Sequence, residues 1–130
     1  MALVNPAKNR PKHLDLTKIR LPLPGVVSIL HRISGLALFL IGIPFLLFVL
    51  NCSLSSQDGF NDWRESFNHP LVKLIVIGFL WAYLHHFFAG LRFLALDLHK
   101  GISLPAARAS SKLVLIVSLA LTLILGVWLW

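Results

Sequence analysis

The chain has 130 residues, 57% of them hydrophobic and only 13% charged, with a mean hydropathy of +0.80. Soluble domains carry about 25% charged residues, so these values exclude a soluble catalytic domain and indicate a chain built for lipid. The net charge of +7 does not signal a nucleic-acid partner, because the basic residues collect on one side of the apolar runs.

Three apolar stretches, about 26–50, 71–98 and 113–130, are each near or above the ~18–20 residues that cross a hydrocarbon core. Lipid offers no hydrogen-bond partners, so the spans must be helices. The expected architecture is an all-α membrane protein, with a basic arm over 1–25 and a three-span membrane-anchor domain over 26–130. The arm carries Lys8, Arg10, Lys12, Lys18 and Arg20 and reads as an extended segment or short surface helix on the inner face. "LPLPG" then breaks the backbone, because each proline removes an N–H and restricts its predecessor. The first helix is expected to start within the next few residues, and Pro44 inside it to kink it.

The polar stretch "NCSLSSQDGFNDWRESFNHP" reads as an outer loop with a short interfacial helix around Trp63 and Phe67. Pro70 suits the first turn of the second span. "HKGISLPAARASS" reads as an inner turn, and the third span holds no ionisable residue after Lys112, so it packs and anchors. Basic residues flank the arm and the second connection, while Asp58, Asp62 and Glu65 lie in the first. The positive-inside rule therefore puts the N-terminus inside and the C-terminus outside, with Trp128 and Trp130 in an outer aromatic belt. Cys52 is the only cysteine, which leaves no internal disulfide and no covalent haem attachment. The first apolar run is too long for a signal-peptide core.

Ionisable residues inside membrane helices are costly and mark function by default. The candidates are His31, Arg32, His85, His86, Arg92 and Asp97. Ser28, His31, Arg32 and Gly35 fall on one helical stripe, offering a hydroxyl, an imidazole, a guanidinium and a gap. The planar donors of Arg32 suit a carboxylate or a quinone carbonyl; the plainer alternative is that Arg32 snorkels to headgroups. In the second span Tyr83, His86, Gly90, Phe93 and Asp97 share a stripe, and His85 and Arg92 share another. His86 lies ~16 Å of helix rise from Asp97, too deep for snorkelling. It needs a polar partner or a metal, and a non-covalently held b-type haem fits. Gly90 would leave room for the macrocycle, and the propionates would reach toward His31 and Arg32. The plainer alternative makes His86 a hydrogen-bonded structural residue and Gly90 a helix-packing residue. His31 reads as too near the inner interface to share the depth of His86, and His85 faces elsewhere. A second axial ligand is therefore expected from another chain, making this chain half of a haem-binding bundle.

"RPKHLDLTKIRLPLPGVVSILHRISG" together with "HHFFAGLRFLALDLHKG" resembles the cytochrome b556 membrane-anchor family of succinate dehydrogenase, respiratory complex II, over essentially the whole chain. The family's S-I-x-H-R-x-[ST]-G pattern is complete in Ser28, Ile29, His31, Arg32, Ser34 and Gly35. Its H-x-x-x-G-x-R-H-x-x-x-D pattern is met by His86, Gly90, Arg92 and Asp97, with Phe93 replacing the family's second histidine. The resemblance implies that His86 ligates haem iron and that a second small anchor subunit supplies the other ligand. It implies that Ser28 and Arg32 line a quinone site near an iron–sulfur subunit, and that His31, with Arg32, lies by the haem propionates. Phe93 would weaken or rearrange haem contacts on that side, and His85 offers an alternative register for the iron. The implied cofactor is haem b, with quinone as substrate and a flavoprotein subunit as the source of electrons. The implied location is a bacterial cytoplasmic or mitochondrial inner membrane. A fumarate reductase anchor and a cofactor-free membrane scaffold are the rival readings.

Overall fold

The computed structural model describes residues 20–130; the expected basic arm lies, up to residue 19, outside the described residues. The described residues form four helices: α1 (Leu23–Ser55), α2 (Gln57–Phe67), α3 (Pro70–Asp97) and α4 (Leu104–Leu129). Helices α1, α3 and α4 are long and apolar enough to cross a membrane. They pack against one another as a three-helix bundle, while α2 folds back on the end of α1 and touches α3.

The bundle is inverted relative to a soluble one. Its buried residues are small or polar: Val27, Ala82, Ala89 and Val114 beside Ser34, His85, Arg92, Ser111, Ser118 and Thr122. Large apolar side chains such as Phe39, Leu47, Leu94 and Leu123 point outward. With lipid outside, burying leucine gains nothing, and close approach of small residues drives helix association. The buried hydroxyls are satisfied within α4, Ser111 donating to the Ala107 carbonyl (2.7 Å) and Thr122 to that of Ser118 (2.7 Å).

Three boundaries differ from expectation. Helix α1 begins inside "LPLPG" at Leu23, with Pro22 as N-cap and Pro24 in the first turn, where a backbone N–H has no intrahelical partner and its absence costs nothing. It runs on to Ser55, past the expected end at 50. Helix α4 begins at Leu104, so most of the expected inner turn is helical and Arg108 and Lys112 ride its first turns. The alanine-rich segment favours helix, and the helix outruns its apolar portion. Pro44 is accommodated by a π-helical turn at Leu38–Gly42, closed by the Ile43 N–H bonding to the Leu38 carbonyl. The wider turn absorbs the bond that proline removes. Beyond it Phe45 stacks on Phe79 of α3 (5.9 Å) and meets Trp63 of α2 edge-on (5.8 Å).

The short helix expected near Trp63 and Phe67 is present as α2. Ser56 caps it, its Oγ accepting from the Gly59 N–H at 3.0 Å, with Asp58 in the first turn and Arg64 in the last, matching the helix dipole. A side chain at Gly59 would stand 2.6 Å from the Cys52 carbonyl, so only glycine permits the tight return. Helix α3 ends in a Schellman motif, His99 N–H bonding to the Leu96 carbonyl (2.9 Å) and Lys100 N–H to that of Ala95 (3.0 Å). This turn holds His99 at φ 57° and Gly101 at φ 74°. Left-handed φ is costly for a residue with a Cβ and worst when it is β-branched. His99→Gly is therefore expected to leave thermal stability at or above wild type, and His99→Val to lower it by about 1–2 kcal/mol, read from thermal unfolding of the purified protein in detergent.

Candidate functional site

Two histidines from different helices meet face to face. The rings of His31 on α1 and His86 on α3 are parallel within 8°, with centroids 4.2 Å apart. This corrects the expectation that His31 lies too near the interface to share the depth of His86. Because α1 begins at Leu23, His31 is ~12 Å into its helix, against ~16 Å for His86 from Asp97, and the difference is less than one turn.

His86 lies on the backbone of α1. Its Nδ1 is 3.0 Å from the His31 carbonyl oxygen and 3.3 Å from Ser34 Oγ, while Ser34 Oγ itself donates to the same carbonyl at 3.0 Å. A carbonyl only accepts, and the Ser34 proton is already used, so Nδ1 of His86 is the N–H donor to both. In that tautomer the free lone pair is on Nε2, which makes no hydrogen bond among the described residues. Gly35 makes this approach possible: a Cβ there would stand 2.7 Å from His86 Cε1 and 3.2 Å from Nδ1. At Gly90 an added Cβ would meet only His31 Nε2, at an ordinary 3.7 Å. The close gap is thus at Gly35, and the space beside Gly90 faces the His31 ring. Phe93 packs on the other side of His31, ring to ring at 5.1 Å.

His85, the adjacent residue, points about 100° away and is fully buried in the bundle. Its ring stacks on Trp81 at 5.5 Å, and neither of its ring nitrogens has a hydrogen-bond partner among the described residues. His86 by contrast is half-buried, at the chain's surface. Ser28 is half-buried and Arg32 exposed on α1, one turn and one residue from His31, and neither side chain is hydrogen-bonded among the described residues. Tyr83 and Asp97 are exposed. Arg92 turns toward α4, where its Nε donates to Ser110 Oγ at 3.0 Å, and stays apart from the histidine pair.

Ser34 and Gly35 thus act directly on His86. The sequence motif contains both, but the partnership depends on the crossing of α1 and α3, which spacing alone does not encode. As a donor set, His86 suits a metal centre: a ligating histidine characteristically donates its other N–H to a carbonyl, which fixes tautomer and orientation. The His31 ring lies flat on that of His86, so the two imidazoles do not converge their nitrogens on one shared centre.

With this geometry in place, the relatives of the sequence are informative. The family model for the succinate dehydrogenase/fumarate reductase transmembrane subunit matches residues 6–125. The succinate dehydrogenase cytochrome b556 subunit of Coxiella burnetii is 40% identical over 122 residues, spanning 93% of this chain and 97% of the relative. That of Paracoccus denitrificans is 35% identical over 118 residues, covering 89% and 88%, and that of Rickettsia typhi is 30% identical, covering 91% of each. The matches run through all three spanning helices and both histidine-bearing segments, and so the chain belongs to the succinate dehydrogenase/fumarate reductase transmembrane subunit family, as a multi-pass inner-membrane protein.

Proposed function

We propose that this chain anchors a succinate dehydrogenase in the membrane, holds haem b jointly with a second small anchor subunit, and forms part of the site where quinone is reduced. The observation that carries the haem assignment is the tethering of His86: Nδ1 donates to the His31 carbonyl at 3.0 Å, Gly35 leaves room for the ring, and Nε2 is left for iron. His85 is the weaker ligand, because it is sealed inside the bundle, where a macrocycle would have to displace a spanning helix. Such a haem, when bound, would supply a reversible one-electron store.

The remaining roles belong to the chain's own side chains. Arg32 and His31 offer N–H donors on the basic side of His86, suited to propionates. Ser28 and Arg32, one turn apart on α1, can donate to a quinone oxygen and stabilise the negative charge that develops on it during reduction. A second ligand to the iron would come from the partner anchor subunit. An iron–sulfur subunit would dock over the same end of the bundle, fed in turn by the flavoprotein. The basic residues Arg20, Arg32, Lys100, Arg108 and Lys112 gather at this end, with Asp58, Asp62 and Glu65 at the other, which supports an inside N-terminus and an outside C-terminus.

The test is a reduced-minus-oxidised absorption spectrum of the purified complex. His86→Leu is expected to abolish or shift the b-type band. His85→Leu is expected to keep it and to hold or raise stability, since it removes two unpartnered buried nitrogens. The opposite order would move the ligand to His85, and a wild-type complex without a b-type band would leave a cofactor-free anchor. Gly35→Ala forces the His86 ring to move, at a cost of about 1–3 kcal/mol of overpacking, and is expected to shift the band or the haem midpoint potential. Gly90→Ala is expected to shift neither; a larger effect at Gly90 would mean that the macrocycle lies there. Arg32→Leu is expected to cut succinate–quinone turnover by about 10²-fold while sparing succinate oxidation by an artificial acceptor. Equal loss of both activities would assign Arg32 to assembly.

A further inference from the structure

The turn joining α3 to α4 caps one end of an apolar groove of about 480 Å³ between those helices, away from the histidine pair. Phe88 and Leu91 of α3 and Val117 of α4 form its walls, and Arg92, Lys100 and Ser110 stand at its basic end. Arg92 is only 8% exposed, yet among the described residues it forms no ion pair with a carboxylate. Its Nε donates to Ser110 Oγ at 3.0 Å, one terminal nitrogen reaches the Ala107 carbonyl at 3.5 Å, and the guanidinium lies over the Phe93 ring at 5.3 Å, which leaves its remaining donors without a partner among the described residues. A guanidinium has five N–H donors and keeps its charge under all ordinary conditions. In a low-dielectric setting such a cation calls for an anion.

A second cation is placed there by the backbone. The Schellman motif that ends α3 bonds the Lys100 N–H to the Ala95 carbonyl, holding Lys100 over the mouth of the same groove. The site therefore has two positive charges at one end, Arg92 oriented by Ser110, whose own proton goes to the Ala107 carbonyl at 3.2 Å, and an exposed Lys100, with an apolar trench running from them along α3 and α4. Leu91, Leu94 and Leu113 beside it are about half exposed or more. A free anion would use the charges and leave the trench empty, and a neutral lipid would use the trench and leave the charges unanswered. Basic pockets between membrane helices on the positively charged side suit anionic headgroups.

We propose that the α3–α4 groove holds one anionic phospholipid, its phosphate between Arg92 and Lys100 and an acyl chain along Phe88, Leu91 and Val117. The site is independent of haem and quinone. It gives the third span, otherwise without an ionisable residue beyond Lys112, a role in retaining lipid at the basic end.

The test uses the intact complex, purified in mild detergent and washed, with retained lipid counted by native mass spectrometry. Arg92→Gln strips Ser110 of its donor and can impair folding, so two other variants decide the matter. Val117→Trp fills the groove with both cations intact, and is expected to abolish retention of phosphatidylglycerol. Lys100→Gln is expected to weaken that retention by about fivefold. Added phosphatidylglycerol is expected to raise the thermal midpoint of delipidated wild type but not of Val117→Trp. Equal retention by wild type and Val117→Trp would overturn the proposal. So would equal retention of phosphatidylcholine, or an equal thermal shift with inorganic phosphate alone, the mark of a free-anion site.

Discussion

The contact between the His86 ring and the backbone of α1 organises the rest of this bundle. In hydrocarbon no water can satisfy an imidazole, so its N–H must find an acceptor within the chain, and it finds the His31 carbonyl with Ser34 beside it. That bond requires α1 and α3 to cross closely, and Gly35 is where they do. Once the helices cross there, His31 stacks on His86 and Phe93 covers His31. The same crossing buries Ser34 at the helix interface.

Two consecutive histidines meet opposite fates because a helix turns about 100° per residue. His85 looks into the bundle and His86 toward α1 and the surface, where a second subunit can approach. A buried, unpartnered imidazole is a local conflict that stability alone would remove, and the stacking on Trp81 compensates it only in part. Most other buried polar groups are satisfied within the chain. The buried hydroxyls of α4 bond to their own helix, and Arg92 takes Ser110, so the chain meets most of its internal polar demand without water.

Outside, the surface is what a lipid-facing bundle requires, with large apolar residues on almost every outward position. The ends are specialised. One gathers basic residues at Arg32, Lys100 and Arg108; the other gathers the aromatic cluster of Phe45, Trp63 and Phe79 and the contact of Lys73 with Trp130, whose carbonyl it reaches at 2.8 Å. The π-helical turn before Pro44 connects these regimes, since it lets one continuous helix pass a proline and still bring Phe45 onto α3.

The number of spans, their helical nature, the short helix α2 and the identity of the polar stripe on α1 followed from the sequence alone. Apolar length and the absence of partners in lipid leave a membrane chain few alternatives. Helix ends did not follow so directly: Leu23 and Leu104 start their helices earlier than the apolar runs suggest, because prolines are accommodated in first turns and helices extend past the hydrocarbon. The relations between helices belong to the tertiary structure. Only the crossing of α1 and α3 decides that Gly35, rather than Gly90, clears space for His86, that His31 stacks on that ring, and that Nδ1 is the tethered nitrogen. Spacing along one helix fixes which residues share a face. Which face meets which is set by packing between segments more than fifty residues apart.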